Sequence, residues 1–268
     1  MNILFAVMLP LQKGPQGPTS DLASTRYRVI TPGRQLGMLG HHVRIVSPVD
    51  GEWPADALES SCDVLIVSKN LTPAAERLAR AMKGRGSRIV VDICDDHFDH
   101  PEHGPVVRSL ASFADELVAS TDAMAESIQR HLQRPSRVIS DAVEGAKGAP
   151  RFAPRLQGLR LAWFGNPSNL GAVASKAEEL AQLARRFPLH FLIVTNPSDD
   201  VSGFVSFLHE SCGGRARIEC VPWSVEATWQ LLEQSDVVWI PSTGTGQKIV
   251  KSPNRLLLSP KADKETEQ

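Results

Sequence analysis

Short apolar segments of strand length alternate with amphipathic segments along the chain. The apolar segments are rich in valine and isoleucine and are apolar on both faces, which is typical of buried parallel strands. They predict strands at 3–9, 43–46, 64–68, 88–93, 116–119, 161–164, 191–195, 218–221 and 237–240. Helical periodicity predicts helices at 29–39, 73–83, 106–113, 124–132, 173–187 and 225–233. Strands alternating with helices indicate a doubly wound α/β fold.

Two irregular segments interrupt this alternation. Residues 140–158 are rich in glycine and proline and poor in apolar residues, as interdomain linkers are. We therefore predict a first domain at 1–145, a linker at 146–157, a second domain at 158–259 and a polar tail at 260–268. The other irregular segment, 12–25, follows the first strand, and ligands of open α/β sheets bind beyond the carboxyl ends of strands.

Composition excludes several classes of protein. The 268 residues carry a formal net charge of -1, so nothing in the overall charge favours nucleic acid or anionic lipid. No apolar run approaches the length that spans a membrane, and no membrane contact is evident in the pattern. The four cysteines show neither CxxC pairing nor zinc spacing, so we expect free thiols in a reducing cytosol and a cytoplasmic protein.

An anion site is predicted near the end of the chain. The apolar segment 237–241 leads into a loop of small residues at 242–246, and Ser252-Pro253-Asn254 then opens a helical pattern. Proline suits a first helical turn, and the free N–H groups of that turn attract phosphate. Lys251 and Arg255 add two positive charges at the same place. We expect a phosphate group to bind there.

Several segments, taken in order, resemble the family 4 glycosyltransferases of the GT-B fold. In the first half these are TRYR at 25–28, LGMLGHHV at 36–43 and VDICDDHF at 91–98. In the second half they are LAWFGN at 161–166, SDVVWIPS at 235–242 and KSPNRLL at 251–257. The resemblance implies two Rossmann-like domains facing a cleft, with a nucleotide-sugar donor held mostly by the second domain and no other cofactor.

The chain departs from this family at its end. The family places a glutamate that binds the donor ribose after the NRLL motif, whereas this chain has Leu258, which cannot accept a hydroxyl hydrogen bond. The remaining residues, 259–268, contain one apolar residue, Ala262, and cannot form the strand and helices that follow in the family. The resemblance therefore implies an incomplete second domain. We expect donor binding about ten- to a hundredfold weaker, with turnover low or absent.

Candidate catalytic groups follow the fourth predicted strand. Asp95, Asp96 and His97 lie at its carboxyl end, where a carboxylate or an imidazole could take the proton of an acceptor hydroxyl or stabilise developing positive charge. The alternative is a polar loop that caps the next helix. His97, His100 and His103 also suggest a metal site, but Pro101 and Gly104 interrupt a shared helical face, so we expect no bound metal.

Candidate binding groups lie in both halves. For the donor diphosphate, the resemblance implies the following residues: Gly165, Asn166, Ser242, Lys251, Asn254 and Arg255. Arg26 and Arg28, beside the irregular segment at 12–25, are expected to bind a phosphate or an acidic acceptor; the alternative is a pair of solvated surface charges.

The predicted function is transfer of a sugar from a nucleotide-sugar donor to a hydroxyl of an acceptor glycan or small molecule, which makes the chain an enzyme of the hexosyltransferase type. The alternative is a non-catalytic binding protein of the same fold or an inactive fragment. A sugar-nucleotide epimerase is a third class, but no G-x-G-x-x-G follows the first strand, as a dinucleotide site would require.

Overall fold

The computed structural model describes residues 1–9, 11–14, 17–59, 61–144, 158–241 and 250. The chain forms two compact units, the first comprising Met1–Ala142 together with Val250 and the second beginning at Val143. The predicted linker at 146–157 and the predicted tail at 260–268 lie outside the described residues.

Strands and helices alternate through both units. Within the described residues the strands are β1 (Asn2–Ala6), β2 (Gln12–Gly14), β3 (Gly17–Thr19), β4 (His42–Val46), β5 (Val64–Ser68), β6 (Arg88–Ile93), β7 (Glu116–Ala119), β8 (Arg137–Val138), β9 (Leu159–Phe164), β10 (Leu189–Thr195), β11 (Ala216–Pro222) and β12 (Val237–Val238). The helices are α1 (Ala23–Thr25), α2 (Thr31–Met38), α3 (Ala55–Glu59), α4 (Pro73–Gly84), α5 (His103–Phe113), α6 (Asp122–Leu132), α7 (Leu170–Ala174), α8 (Ala177–Arg186), α9 (Asp199–Ser211) and α10 (Val225–Gln234).

The first unit is built on a six-stranded sheet of order β4-β1-β5-β6-β7-β8, in which every pair of neighbours is parallel. Its central strands are apolar because helices cover them; Leu4, Leu65 and Val91 are at most 2% exposed. The predicted strands at 64–68, 88–93 and 116–119 are confirmed to the residue. β5, β6 and β7 are neighbours, so the loops that follow them open at the same edge of the sheet.

The second unit contains a parallel sheet of order β11-β10-β9-β12. Its core is formed by apolar side chains of the central strands, with Trp163 and Phe191 at most 1% exposed. Val237–Val238 is shorter than the predicted strand at 237–240, although the Trp239 N–H still donates to the carbonyl of Ala162 at 2.8 Å. Two parallel α/β sheets confirm the predicted fold class.

Four local predictions are wrong. Segment 12–25, predicted to be irregular, contains the antiparallel β2–β3 hairpin. The helix predicted at 29–39 begins at Ala23 and passes through a π-helical segment, Arg26–Ile30, before α2. The helix predicted at 173–187 is interrupted between α7 and α8. Val250, predicted to belong to the second domain, packs in the core of the first unit, where its carbonyl accepts a hydrogen bond from Thr121 Oγ1 at 2.7 Å.

Within the described ranges, none of the helices combines the length and the apolar character needed to cross a bilayer.

Candidate functional site

The carboxyl edge of the first sheet gathers most of the predicted site residues of the first unit. Ser68 of β5 lies beside Asp92 of β6, and Ile93 lies beside Ala119 of β7. The residues that follow these strands therefore start from nearly the same level of the sheet. They are Lys69 and Asn70 after β5, residues 94–97 after β6, and Ser120 after β7.

Asp95 forms an ion pair with Lys69. The Nζ atom of Lys69 lies 2.9 Å from Oδ2 of Asp95, and the two side chains are 35% and 13% exposed. Lys69 adopts a left-handed backbone conformation with φ of 50°, which is uncommon for a residue other than glycine. Burial is the largest influence and would lower the pKa of Lys69, but Asp95, Cys94 and Asp141 together outweigh it and raise that pKa, so Lys69 is protonated at neutral pH.

The carboxylate of Asp96 accepts hydrogen bonds from its own loop and from α6. Its Oδ2 accepts a hydrogen bond from Ser127 Oγ at 2.5 Å, and its Oδ1 accepts the backbone N–H of Phe98 at 3.3 Å. Ser127 is buried in α6. Asp96 therefore joins the loop after β6 to the neighbouring helix, which matches the predicted alternative of a capping loop better than a catalytic role.

His97 is the one of these three residues with a buried side-chain atom that lacks a partner in the described ranges. Its Nδ1 atom is buried, and no hydrogen-bond partner for it exists in the described parts of the chain. The ring is half-buried and meets those of His100 and His103 edge-on, with centroids 6.0 Å and 5.4 Å away. Burial lowers the pKa of His97, so the imidazole is neutral at pH 7 and can accept a proton.

The three histidines of this loop do not form a metal site in the structure. His100 and His103 stack with ring centroids 4.4 Å apart, and Nδ1 of His100 accepts the backbone N–H groups of Glu102 and His103 at 3.2 and 3.3 Å. A neutral His100 then carries its proton on Nε2 and has no free lone pair for a cation. Among the described residues, no group of three such side chains has the geometry of a metal site.

Arg28 lies inside the first unit, where its guanidinium pairs with two carboxylates. Its Nε donates to both carboxylate oxygens of Asp92, at 2.9 and 2.8 Å, and its Nη1 donates to the carbonyl of Ile139 and to Asp141 Oδ1, at 2.8 and 2.9 Å. Asp92 also accepts from Ser68 Oγ at 2.7 Å. Burial would lower the pKa of Arg28, but Asp92 and Asp141 outweigh it and raise that pKa. Arg28 therefore joins the π-helical segment to β6 and to the segment after β8.

Arg26 holds the loop that follows the β2–β3 hairpin. Its Nη1 donates to the carbonyls of Ser20 and Asp21 at 2.8 and 3.1 Å, and the residue is 8% exposed. A π-helical segment is a rare conformation that occurs preferentially at functional sites, and here it places both Arg26 and Arg28 in the interior.

In the second unit, Gly165 and Asn166 follow β9 at its carboxyl end. The Gly165 carbonyl accepts from Thr195 Oγ1 at 2.8 Å, which fixes it to β10. Asn166 caps a 3₁₀ turn, Pro167–Asn169, and its Oδ1 accepts the Ser168 N–H at 3.0 Å. The predicted diphosphate residues Ser242, Lys251, Asn254 and Arg255 lie outside the described residues, as does Leu258.

The sequence analysis did not identify Lys69 or the buried polar groups that follow β5 and β7 at this sheet edge. Asn70 is fully buried, and its Nδ2 has no partner in the described ranges; the same holds for Ser120 Oγ at the end of β7. The available signal was the position of Ser-Lys-Asn at the end of a buried apolar strand, since parallel strands end at one edge.

Cys94 is not a nucleophile, because burial, with Asp95 and Asp92, raises the pKa of its thiol to about 12.

Comparison with known proteins supports the fold. No family model matches the chain, and no curated protein sequence does. AviGT4, a glycosyltransferase involved in avilamycin A biosynthesis, is similar with a TM-score of 0.59 at 15% identity over 96% of this chain and 75% of that one. Anabaena HepE in complex with UDP is similar with a TM-score of 0.57 at 16% identity, over 89% of this chain and 73% of that one. A glycosyltransferase from Rickettsia africae is similar with a TM-score of 0.55 at 12% identity, over 88% of this chain and 72% of that one. The chain has the GT-B fold of these glycosyltransferases.

Proposed function

We propose that this chain transfers a glycosyl group from a nucleotide-sugar donor to an acceptor hydroxyl. The observation that carries the proposal is His97, a half-buried imidazole at the carboxyl edge of β6 whose pKa is lowered by burial, in a chain with a glycosyltransferase fold. A half-buried base that is neutral at the working pH is what proton removal from a hydroxyl requires.

In the proposed reaction the acceptor oxygen forms a bond to the anomeric carbon of the donor. The bond from that carbon to the diphosphate oxygen breaks, and the nucleoside diphosphate leaves with the electron pair. The acceptor proton passes to the imidazole of His97. Asp95 lies two residues away in the same loop, with its carboxylate paired with Lys69.

The proposed donor site consists of the residues that the sequence resemblance assigns to the donor diphosphate. The HepE structure in complex with UDP supports a nucleoside diphosphate as the ligand class. We assign the diphosphate to Lys251 and Arg255 and to the N–H groups at the start of the predicted helix, and we include Asn254, Ser242 and the Gly165–Asn166 turn in the same proposed site. The nucleotide sugar is a substrate in this proposal, and the acceptor is a glycan or a small molecule.

A non-catalytic binding protein of the same fold is the competing function. Leu258 favours this competing function, because the family that the sequence resembles has a ribose-binding glutamate at this position. The two functions differ in turnover, whereas both include nucleotide binding.

Calorimetric titration of the purified chain with UDP-, GDP- and ADP-sugars at millimolar concentration tests the nucleotide site. We expect one of the three nucleotide classes to bind. Arg255→Ala should weaken binding of the nucleoside diphosphate about tenfold or more, while binding of the bare nucleoside changes little, because a lost charge-assisted hydrogen bond concerns the phosphate alone.

Two results would contradict the assignment. Equal losses for diphosphate and nucleoside would show that Arg255 supports the fold rather than the phosphate. Absence of binding by every sugar nucleotide in the panel would rule out both the transferase and the nucleotide-binding alternative.

A further inference from the structure

The loop that carries His97 contacts α6 on both sides of this histidine. On one side, Oδ2 of Asp96 accepts a hydrogen bond from Ser127 Oγ at 2.5 Å. On the other side, the ring of Phe98 stacks on that of His131, with centroids 4.8 Å apart and planes inclined by 17°. The residue before His97 and the residue after it are therefore bound to the same helix.

The helix that makes these two contacts is itself fixed in the core. Ser127 and His131 are four residues apart, so they lie one above the other on a single face of α6. The same face carries Met124 and Ile128, both 0% exposed in the core of the first unit. Because a close-packed core resists displacement, α6 is a rigid support for the loop.

The backbone at His97 is held as well. Oδ1 of Asp96 accepts the N–H of Phe98 at 3.3 Å, a hydrogen bond that spans His97, and the His97 carbonyl accepts the N–H of His100 at 3.0 Å. The imidazole of His97 then meets the ring of His103, at the start of α5, with centroids 5.4 Å apart. These contacts determine where the imidazole lies.

We propose that Asp96 and Ser127 are positioning residues for His97: their hydrogen bond ties the loop to α6 and fixes the place of the imidazole. The carboxylate of Asp96 acts through its two hydrogen bonds and takes no part in the chemistry. The role of His97 as the base rests on the proposed function above, whereas the position of its ring rests only on contacts within the first unit.

The first test needs no substrate and follows the ring of His97 by NMR in the full chain. The rings of His97 and His103 are close enough for a nuclear Overhauser effect, and each signal is assigned by its loss in His97→Gln or His103→Gln. We expect the effect to be lost in Asp96→Ala, which removes both hydrogen bonds, and to weaken in Ser127→Ala, which removes one. Asp96→Asn should keep it, because the amide retains an acceptor for the Phe98 N–H and can donate to Ser127 Oγ.

The second test compares turnover in two backgrounds. In the native background, Ser127→Ala should lower kcat about tenfold with KM for the donor unchanged, because a base held about 1 Å out of place accepts the proton more slowly. In the His97→Gln background, the same substitution should lower kcat little further, because no imidazole is left to position. A role in loop stability alone would lower kcat by a similar factor in both backgrounds.

Two variants serve as controls. Ser112→Ala removes a hydroxyl on α5 that donates to the Ser109 carbonyl at 2.7 Å, and it should change neither the ring signals nor turnover. Asp96→Asn separates positioning from chemistry, because it retains the two contacts and removes the charge, so its turnover should stay close to that of the native chain. Backbone amide spectra establish that each variant is folded.

An Overhauser effect retained in both Asp96→Ala and Ser127→Ala would overturn the proposal, and so would an equal loss of turnover in the two backgrounds. Loss of turnover in Asp96→Asn with the effect retained would also overturn it, by assigning the carboxylate itself to the chemistry. If Asp96→Ala does not fold, Ser127→Ala still decides. A native chain without turnover would contradict the proposed function, while the NMR result on the position of His97 stands on its own.

Discussion

At the scale of single residues, charged side chains that look alike in the sequence have different roles in the structure. Arg28 is 8% exposed and bound to Asp92, which lies 64 positions away, so no local pattern reveals its burial. Asp95, Asp96 and His97 are adjacent in sequence, yet only His97 has an unengaged buried side-chain atom in the described part of the chain. The sequence predicts which loop carries the candidate chemistry, and tertiary contacts select the residue.

Arg28→Met should destabilise the first unit strongly. It leaves the buried carboxylate of Asp92 without its cation and removes the ion pair with Asp141, and a broken buried pair typically costs about 3 to 5 kcal/mol. Urea denaturation followed by circular dichroism measures the loss. Arg80→Met is the control, since the Arg80 side chain is 55% exposed in its pair with Glu76, and its removal should cost less than about 1 kcal/mol. Equal losses for the two variants would contradict the assigned role of Arg28.

At the scale of elements, long periodic segments are predictable and irregular ones are not. The helix at 73–84 has a clear apolar face and a Thr72 cap whose Oγ1 accepts the Ala75 N–H, and the sequence predicts it to within one residue. In contrast, α9 was not predicted, because Gly203 and several serines weaken its periodic pattern; only Val201 and Leu208 are buried. The π-helical segment also escapes prediction, because the burial of Arg26 and Arg28 depends on distant partners.

The start of α5 depends on a glycine. A Cβ atom added at Gly104 would lie 2.4 Å from the carbonyl oxygen of Phe98, in the loop that also carries His97. Gly104→Ala should therefore displace this loop and lower stability by about 1 to 3 kcal/mol, a typical cost of overpacking. The measurement is the denaturant midpoint of the variant against that of the native chain.

Gly37→Ala is the matched control in the same unit. Gly37 lies in α2, and nothing approaches within 4 Å of an added Cβ there. Because alanine favours a helix over glycine, this variant should gain about 0.5 to 1 kcal/mol. A Gly104→Ala chain as stable as Gly37→Ala would show that the loop tolerates the methyl group.

At the scale of the whole molecule, the chain consists of two compact units, each with a parallel sheet covered by helices. Alternation of strands and helices is sufficient to predict this class. It does not predict the strand order β4-β1-β5-β6-β7-β8, since order follows from how the crossovers pack and not from local pattern. In that order β5 and β6 are neighbours, which allows Lys69 to form an ion pair with Asp95. No sequence motif indicates this contact.

The measurement that tests the central claim most directly is release of nucleoside diphosphate from the sugar nucleotide that binds, with a panel of hydroxyl acceptors, by the native chain and by His97→Gln. We predict slow, acceptor-dependent release, in keeping with Leu258 at the ribose position, and a further reduction of about a hundredfold in His97→Gln with unchanged affinity for the donor, because loss of a general base affects the chemical step. Tight donor binding without turnover, or full turnover by His97→Gln, would contradict it.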